Sequence, residues 1–284
     1  MKTGMVILNY NDYQTTLNLI KQIQIFELLK SIVIVDNCST DDSFVELEKL
    51  SNEKIKVIQT EANNGYSSGN NVGIKTLLDI NNVDYIVISN PDIVIKGEDF
   101  NKLIQTMMDN EQIDLIAPII KQGDETISGW RLPTFKDDLL SNIVYFHHHA
   151  SKKMKYPNQY FNDLINEVEV VSGCFFIIKR EVLEEINYFD ENVFLYYEEN
   201  ILGNKLKAKG YKTYICSEVN VIHDLSVSID RSVKRLKKYK ILKQSQRYYQ
   251  KNYNNANMIQ ITLLYLTYLI SYCIAFVIAI FRRK

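Results

Sequence analysis

The chain has 284 residues, 46% of them hydrophobic and 24% charged, with only 4 prolines; this composition is that of a folded globular protein and excludes long disordered linkers. The formal net charge of −1 conceals an asymmetry: residues 226–284 hold 12 of the 33 basic and one of the 34 acidic side chains, leaving 21 basic and 33 acidic in residues 1–225. An acidic body excludes nucleic acid as a natural partner, and the basic tail points to anionic lipid or another acidic surface.

The four cysteines, Cys38, Cys174, Cys216 and Cys273, are far apart and show no paired zinc spacing. They read as reduced thiols of a cytosolic compartment. The first apolar run, residues 5–8, is too short for the core of a secretion signal.

In chain order, residues 5–8 predict a strand, and Leu17, Ile20 and Ile23 predict a helical apolar stripe. Residues 32–35 are continuously β-branched, as expected of a strand covered on both faces. Residues 36–42 form a turn and helix start rich in capping side chains. A third strand is expected at 55–58, then a turn at Asn63-Asn64-Gly65 and a helix to about residue 80. A fourth strand at 85–89 is stopped by Asn90-Pro91-Asp92; a helix at 100–108 and a strand at 115–120 follow. This alternation implies an α/β fold, a mostly parallel sheet with helices on both faces.

Residues 129–133, from Gly129 through Trp130 and Arg131 to Pro133, read as a loop. His147-His148-His149 reads as surface or loop packing, because three adjacent histidines cannot all face one metal from regular structure. Strands are expected at 168–171 and 174–178, and helices at 181–186 and 198–209. The last helix is closed by Gly210, with Lys205, Lys207 and Lys209 at the favourable end of its dipole. Two short strands complete the series at 211–216 and 219–222.

In a parallel α/β sheet, ligands bind beyond the carboxyl ends of the strands. Four polar clusters sit at such ends: Asn9-Tyr10-Asn11, Asp36-Asn37, Asn63-Asn64-Gly65 and Asn90-Pro91-Asp92. They should converge on one sheet edge. Asp36 suits the ribose or base of a nucleotide. The glycines of the stretch from Gly65 to Asn71 let backbone N–H groups approach a ligand. A departing diphosphate needs its charge neutralised, which Mg2+ or Mn2+ does through oxygen ligands. Asp92 supplies a carboxylate for this, Pro91 stiffens its turn, and Asn90 offers a neutral oxygen.

Taken in order, Val6-Ile7-Leu8-Asn9-Tyr10-Asn11, Ile34-Val35-Asp36-Asn37-Cys38-Ser39-Thr40-Asp41, Asn64-Gly65-Tyr66 with Gly69-Asn70-Asn71, and Ser89-Asn90-Pro91-Asp92 resemble family 2 glycosyltransferases of the GT-A fold. The similarity is greatest to the rhamnosyltransferase-type branch. It continues through Val171-Ser172-Gly173-Cys174, Phe189-Asp190-Glu191, Phe194-Leu195-Tyr196-Tyr197-Glu198-Glu199 and Val221-Ile222-His223.

The resemblance implies an inverting transferase that moves rhamnose or a hexose from a dTDP- or UDP-linked donor. The acceptor would be a glycan or lipid-linked sugar in surface polysaccharide assembly. Asp36 would meet the base, and Asp92 the metal with His223 nearby; Glu199 would be the catalytic base and Glu198 would shape the site. A carboxylate in reach of the attacking hydroxyl contributes roughly 10²–10⁴-fold. Trp130 and Arg131 fall where related enzymes contact donor or acceptor, and Arg247 where they keep a basic residue near the diphosphate. The chain departs from the family pattern at Ile201, usually an aspartate, in its glutamate base, and in a single metal carboxylate instead of two. A nucleotidyltransferase would need a glycine- and basic-rich phosphate loop, which Asn9-Tyr10-Asn11-Asp12 is not. A catalytically inactive sugar-binding or scaffold subunit is the alternative from another class.

Residues 1–225 thus read as the catalytic domain, 226–257 as a basic helical segment and 258–284 as a hydrophobic helix. The basic segment suits an anionic membrane surface. Residues 259–281 carry no charge and are long enough to span a ~30 Å hydrocarbon core, though Gln260, Thr262, Thr267 and Ser271 dilute them. A spanning or re-entrant anchor at the cytoplasmic face is the first expectation. An in-plane helix or a homo-oligomer-forming helix is the alternative.

Overall fold

The computed structural model describes residues 2–143, 152–224 and 235–281. The expectation for His147-His148-His149 lies outside these residues. The strands are β1 (Thr3–Asn9), β2 (Leu29–Asp36), β3 (Ile55–Gln59), β4 (Tyr85–Ser89), β5 (Ile93–Val94), β6 (Leu115–Gln122), β7 (Glu125–Ile127), β8 (Ile165–Val168), β9 (Phe175–Lys179) and β10 (Thr213–His223). They form one sheet in the order β3-β2-β1-β4-β9-β6-β10-β5, with β7 beside β6 and β8 beside β10. The β3-β2-β1-β4 half is parallel, as is the β6–β10 pair.

The expected parallel sheet is therefore mixed. Strand β9 runs antiparallel between β4 and β6, so two parallel groups join through one reversed strand. Two further corrections concern local pattern. The strand expected at 168–171 ends at Val168, and Val170 instead bridges Trp130. The two short strands near the end are one strand, β10, with a register shift between Cys216 and Asn220.

Helices α1 (Tyr13–Ile23), α2 (Ser43–Glu48) and α4 (Gly97–Asp109) cover one sheet face. Leu19, Ile20, Leu47, Phe100, Leu103 and Met107 pack there against Met5, Ile7, Ile32 and Ile34. Helices α3 (Tyr66–Ile80), α6 (Arg180–Glu185) and α7 (Glu198–Lys209) cover the other. Ile74, Leu77, Leu183, Leu202 and Leu206 meet Val6, Val33, Val35 and Ile88. The alternation of Met5, Ile7 with Val6, Leu8 is the strand period of two, here apolar on both faces. Gly210 ends α7 in the left-handed conformation at φ 82°, as its sequence position implied.

Helix α5 (Phe135–Ser141), opened by a Thr134–Asp137 capping box, packs against the C-terminal pair α8 (Arg235–Asn252) and α9 (Met258–Phe281). Asn142 Nδ2 donates to Thr267 Oγ1 at 3.1 Å, and the Tyr239 and Ser271 hydroxyls are 2.6 Å apart. Leu264 and Tyr268 of α9 are buried, while Ile259, Leu263, Leu266, Ile270 and Ile274 form an exposed apolar stripe on its other side. Among the described residues, no helix is long and apolar enough to cross a membrane.

Candidate active site

The four strand-end clusters do converge. They line a cleft of about 490 Å³ with Tyr10, Asn37, Asn63, Gly65, Asn90 and Asp92 on its walls. Gly65 has φ 101°, a conformation that favours glycine, and a Cβ there would lie 2.1 Å from the Phe194 carbonyl oxygen. That close approach lets Tyr66 N–H donate to Phe194 O at 2.9 Å, pinning Phe194 and Leu195 to the cleft rim. Helix α8 closes the cleft with Lys237, Ile241 and Gln244.

Several expected ligand contacts are corrected by the geometry. Asp36 is fully buried, and its carboxylate accepts from Asn9 Nδ2, Ser39 Oγ, Ser39 N and Gln59 Nε2 at 2.5 to 3.0 Å. Four donors occupy the two oxygens, so Asp36 organises the strand ends and the cleft wall is made by its neighbour Asn37. Asn9 is equally buried, shared between Asp36 and Thr16 Oγ1. Asn11, left-handed at φ 54°, accepts from Thr40 N–H at 2.7 Å and ties two loops together. Asn64 is exposed, and Asn63 faces the cleft in its place. Asn71 clamps the Phe189 backbone through both ends of its amide and donates to Glu191 Oε1 at 2.8 Å.

Arg247 is absent from the cleft. Its guanidinium lies 5.2 and 5.1 Å from the ring centroids of Tyr265 and Tyr268, a double cation–π contact that fastens α9 to α8. The cation that α8 does bring to the cleft is Lys237, ten residues earlier. Trp130 and Arg131 also lie elsewhere: Trp130 Nε1 donates to Asn200 Oδ1 at 2.8 Å, and Arg131 stacks on Tyr156.

Asp92, on the cleft wall, meets the buried His223 behind it. Pairing of β10 with β5 sets His223 opposite Ile93, and His223 Nε2 lies 3.2 Å from Asp92 Oδ1. His223 Nδ1 is 3.2 Å from Gln122 Oε1; an Nδ1–H donated to that acceptor leaves Nε2 as a ligand nitrogen. No group of three or more His, Cys, Asp and Glu side chains gathers as a metal site among the described residues. One carboxylate and one imidazole nevertheless fit a cation whose remaining ligands come from substrate phosphate and water. The nitrogen donor suits manganese better than magnesium.

Glu198 and Glu199 open α7. Glu199 lies behind the cleft floor, its Oε1 3.4 Å from the N–H of Gly173, whose carbonyl accepts from the Tyr66 hydroxyl at 2.7 Å. Tyr66 lines the cleft, so the carboxylate stands one residue behind the wall. Burial raises the pKa of Glu199, against the hydrogen bonds from its own N–H and from Gly173. Burial raises Glu198 well above the ordinary carboxylate range, with the Glu199 charge adding to it. Both carboxylates of this adjacent pair are therefore pushed toward the neutral form, Glu198 the more strongly. Burial pushes the Cys174 thiol up to about 12. Asn90 N–H donates to the Cys174 carbonyl at 2.7 Å, next to Gly173 that bonds Glu199, so the turn carrying Asp92 and the start of α7 are tied to adjacent residues.

Of the cleft residues given no ligand role in the sequence, Asn37 and Asn63 lay in the strand-end clusters expected to converge, and Phe194 and Leu195 in the motif before Glu198. Asn37 and Asn63 are the alternate members of the polar pairs at strand ends. Lys237 had only its place in a basic run.

The sequence profile of Glycosyl transferase family 2 matches residues 5–187. A low-salt glycan biosynthesis hexosyltransferase of Haloferax volcanii is 29% identical over 229 residues, 80% of this chain and 69% of the relative. An N-acetylglucosaminyl-diphospho-decaprenol L-rhamnosyltransferase of Mycobacterium tuberculosis is 21% identical over 212 residues, 71% of this chain and 68% of the relative. Among solved structures, a mannosyltransferase of Pyrobaculum calidifontis in complex with GDP-Man and Mn2+ shares the fold, with a TM-score of 0.60 at 13% identity. That match covers 98% of this chain and 74% of the other.

Proposed function

From the premise that this chain belongs to Glycosyl transferase family 2, we propose that it transfers rhamnose or a hexose, with inversion, from a dTDP- or UDP-linked donor to a glycan or lipid-linked acceptor. Surface polysaccharide assembly is the setting that fits. The observation that carries this reading is Asp92 on the cleft wall within 3.2 Å of His223, with Glu199 held through Gly173 just behind the Tyr66 wall of the same cleft. The relatives' hexosyl and rhamnosyl transfer supports the choice of sugar, and the lipid-linked name of one supports the acceptor class.

The residues divide the work as follows. Tyr10 and Asn63 offer a ring and an amide to the nucleoside half of the donor, on a wall that Asn37 braces. Lys237 faces the same cleft and supplies positive charge toward its diphosphate. Asp92 and His223 would hold Mn2+ or Mg2+, which neutralises the charge growing on the departing diphosphate. Glu199, one residue behind the Tyr66 wall, takes the proton from the acceptor hydroxyl as its oxygen attacks the anomeric carbon, a step for which the bound acceptor displaces that wall. The raised pKa of Glu199 makes it a stronger base than an exposed glutamate.

A cytoplasmic-face membrane location supports this chemistry, since a lipid-linked acceptor is presented there. The exposed apolar stripe of α9 beside the lysines of α8 is the feature that supports it. The test of the function is a panel of dTDP-rhamnose, UDP-glucose and UDP-GlcNAc with Mn2+ or Mg2+, scored for release of nucleoside diphosphate. Silence across the panel with metal present would leave a sugar-binding subunit as the better reading.

A further inference from the structure

Glu199 is aimed by a strained entry into α7. Tyr196 and Tyr197, the two residues before Glu198, are both left-handed, at φ 68° and 69°. Bulky side chains rarely adopt this conformation, and it persists where the surroundings over-determine it. Tyr197 is also the helix N-cap, yet its side chain caps nothing; only its carbonyl accepts, from Ile201 N–H at 2.9 Å. Local sequence therefore does not hold this turn.

What holds it comes from α5 and α8. The Tyr197 hydroxyl donates to Asp138 Oδ1 at 2.5 Å. Gln250 Nε2 donates to Asp138 Oδ2 at 2.6 Å, and Gln246 Nε2 reaches the Tyr197 oxygen at 3.2 Å. Asp138 is on α5, and both glutamines are on α8. Asp138, Gln246 and Gln250 are all buried. The Tyr197 ring packs 5.5 Å from that of buried Tyr249, and Ser245 Oγ fixes the Leu195 carbonyl at 2.8 Å. Lys243, also buried, brings a positive charge that stabilises the Asp138 carboxylate.

We infer that Asp138 is a positioning residue: through the Tyr197 phenol it holds the left-handed entry of α7 and so sets Glu199 against Gly173. The inference rests on the reading of Glu199 as base. It also makes α5 and α8 parts of the catalytic machinery, since the buried network serves a turn whose other side carries the two glutamates.

The test is a double-mutant cycle of Tyr197→Phe and Asp138→Asn in the full chain. Turnover is measured on dTDP-rhamnose and UDP-glucose with Mn2+, with Kd for UDP and dTDP and the unfolding midpoint measured alongside. Tyr197→Phe removes one oxygen and should lower kcat by at least about tenfold, with donor KM and nucleotide Kd within twofold. The double variant should be no slower than the slower single variant, because both remove one linkage. A kcat of Tyr197→Phe within twofold of the parent, a loss confined to KM, or losses that multiply in the double variant would each overturn the clamp. Asp138→Asn keeps the test open if the phenylalanine variant misfolds. Glu199→Gln separates the two readings: full activity there sinks the base assignment, whereas a dead Glu199→Gln beside a normal Tyr197→Phe sinks only the clamp.

Discussion

Asp92 Oδ1 lies 3.2 Å from His223 Nε2, although 131 positions separate them in sequence, because the short strand β5 pairs with the end of β10. If the pair holds the metal, Asp92→Asn and His223→Ala should each reduce metal-dependent donor hydrolysis by about two orders of magnitude. Gln122→Leu removes only the acceptor opposite His223 Nδ1 and should raise the Mn2+ concentration needed for half activity by about 10–100-fold. Manganese titrations of the three variants check this. Unchanged metal dependence in His223→Ala would place the ion elsewhere.

The raised pKa of Glu199 fixes a direction for the pH–rate profile. A base must be ionised, so kcat should fall as pH drops through that raised value, and the acid limb should sit above the ordinary glutamate range of about 4.3. Glu199→Gln should remove both the limb and most of the rate, while UDP still binds. A limb at the ordinary position would mean that the titrating group is exposed, which Glu199 is not.

Gly65→Ala tests the cleft without touching a charge. The added methyl would meet the Phe194 carbonyl, and the backbone there is at φ 101°. We expect a loss of about 2–4 kcal/mol in urea unfolding, or a displaced rim with a raised donor KM. A variant with unchanged stability and kinetics would show that the rim can relax at no cost.

The fold was legible where periodicity is strong. Residues 85–89 and 198–209 have the expected bounds, and Gly210 is the expected terminator. The antiparallel β9 was not legible, since a buried strand carries the same apolar run in either direction. Among site residues, Asp92 and His223 come together as the motif order suggested. Asp36 and Asn71 do not face the cleft, because a polar residue at a strand end serves a buried network as readily as a ligand. Lys237 and Asp138 were unreadable for a different reason. Their roles depend on how α8 crosses the domain, and no local pattern encodes that crossing.

Asp138 also makes a stability prediction. Burial raises it to about 6, against the bonds from Tyr197, Gln250 and Gln246 and the charge of Lys243. An unfolded aspartate titrates near 3.9. The sign follows: the folded form holds the proton more tightly, so the contribution is complete below about pH 4 and is lost as pH rises through 6. The difference amounts to about 3 kcal/mol. Asp138→Asn cannot ionise, so its stability relative to the parent should improve by up to that amount between pH 4 and 7. Urea unfolding at four pH values measures it. A variant whose relative stability rises between pH 4 and 7 while its turnover stays slow is what a positioning carboxylate predicts and a purely structural one does not.

The C-terminal helix makes the last prediction. Ile259 and Ile270 are 80% and 63% exposed, so neither contributes to folding through burial. Their stripe is long enough to lie in a bilayer interface, and exposed Lys237 and Lys240 of α8 belong to the same helical hairpin. Vesicles containing phosphatidylserine should therefore carry the protein in flotation at low salt, and neutral vesicles should carry less. Replacing Ile259 and Ile270 together by aspartate should abolish flotation, yet shift stability by no more than about 0.5 kcal/mol, as expected of exposed positions. If the stripe instead joins two copies of the chain, the same double variant would convert a dimer to a monomer in sedimentation and leave flotation unchanged. Flotation that survives both substitutions and high salt would show that neither the stripe nor the lysines hold the membrane.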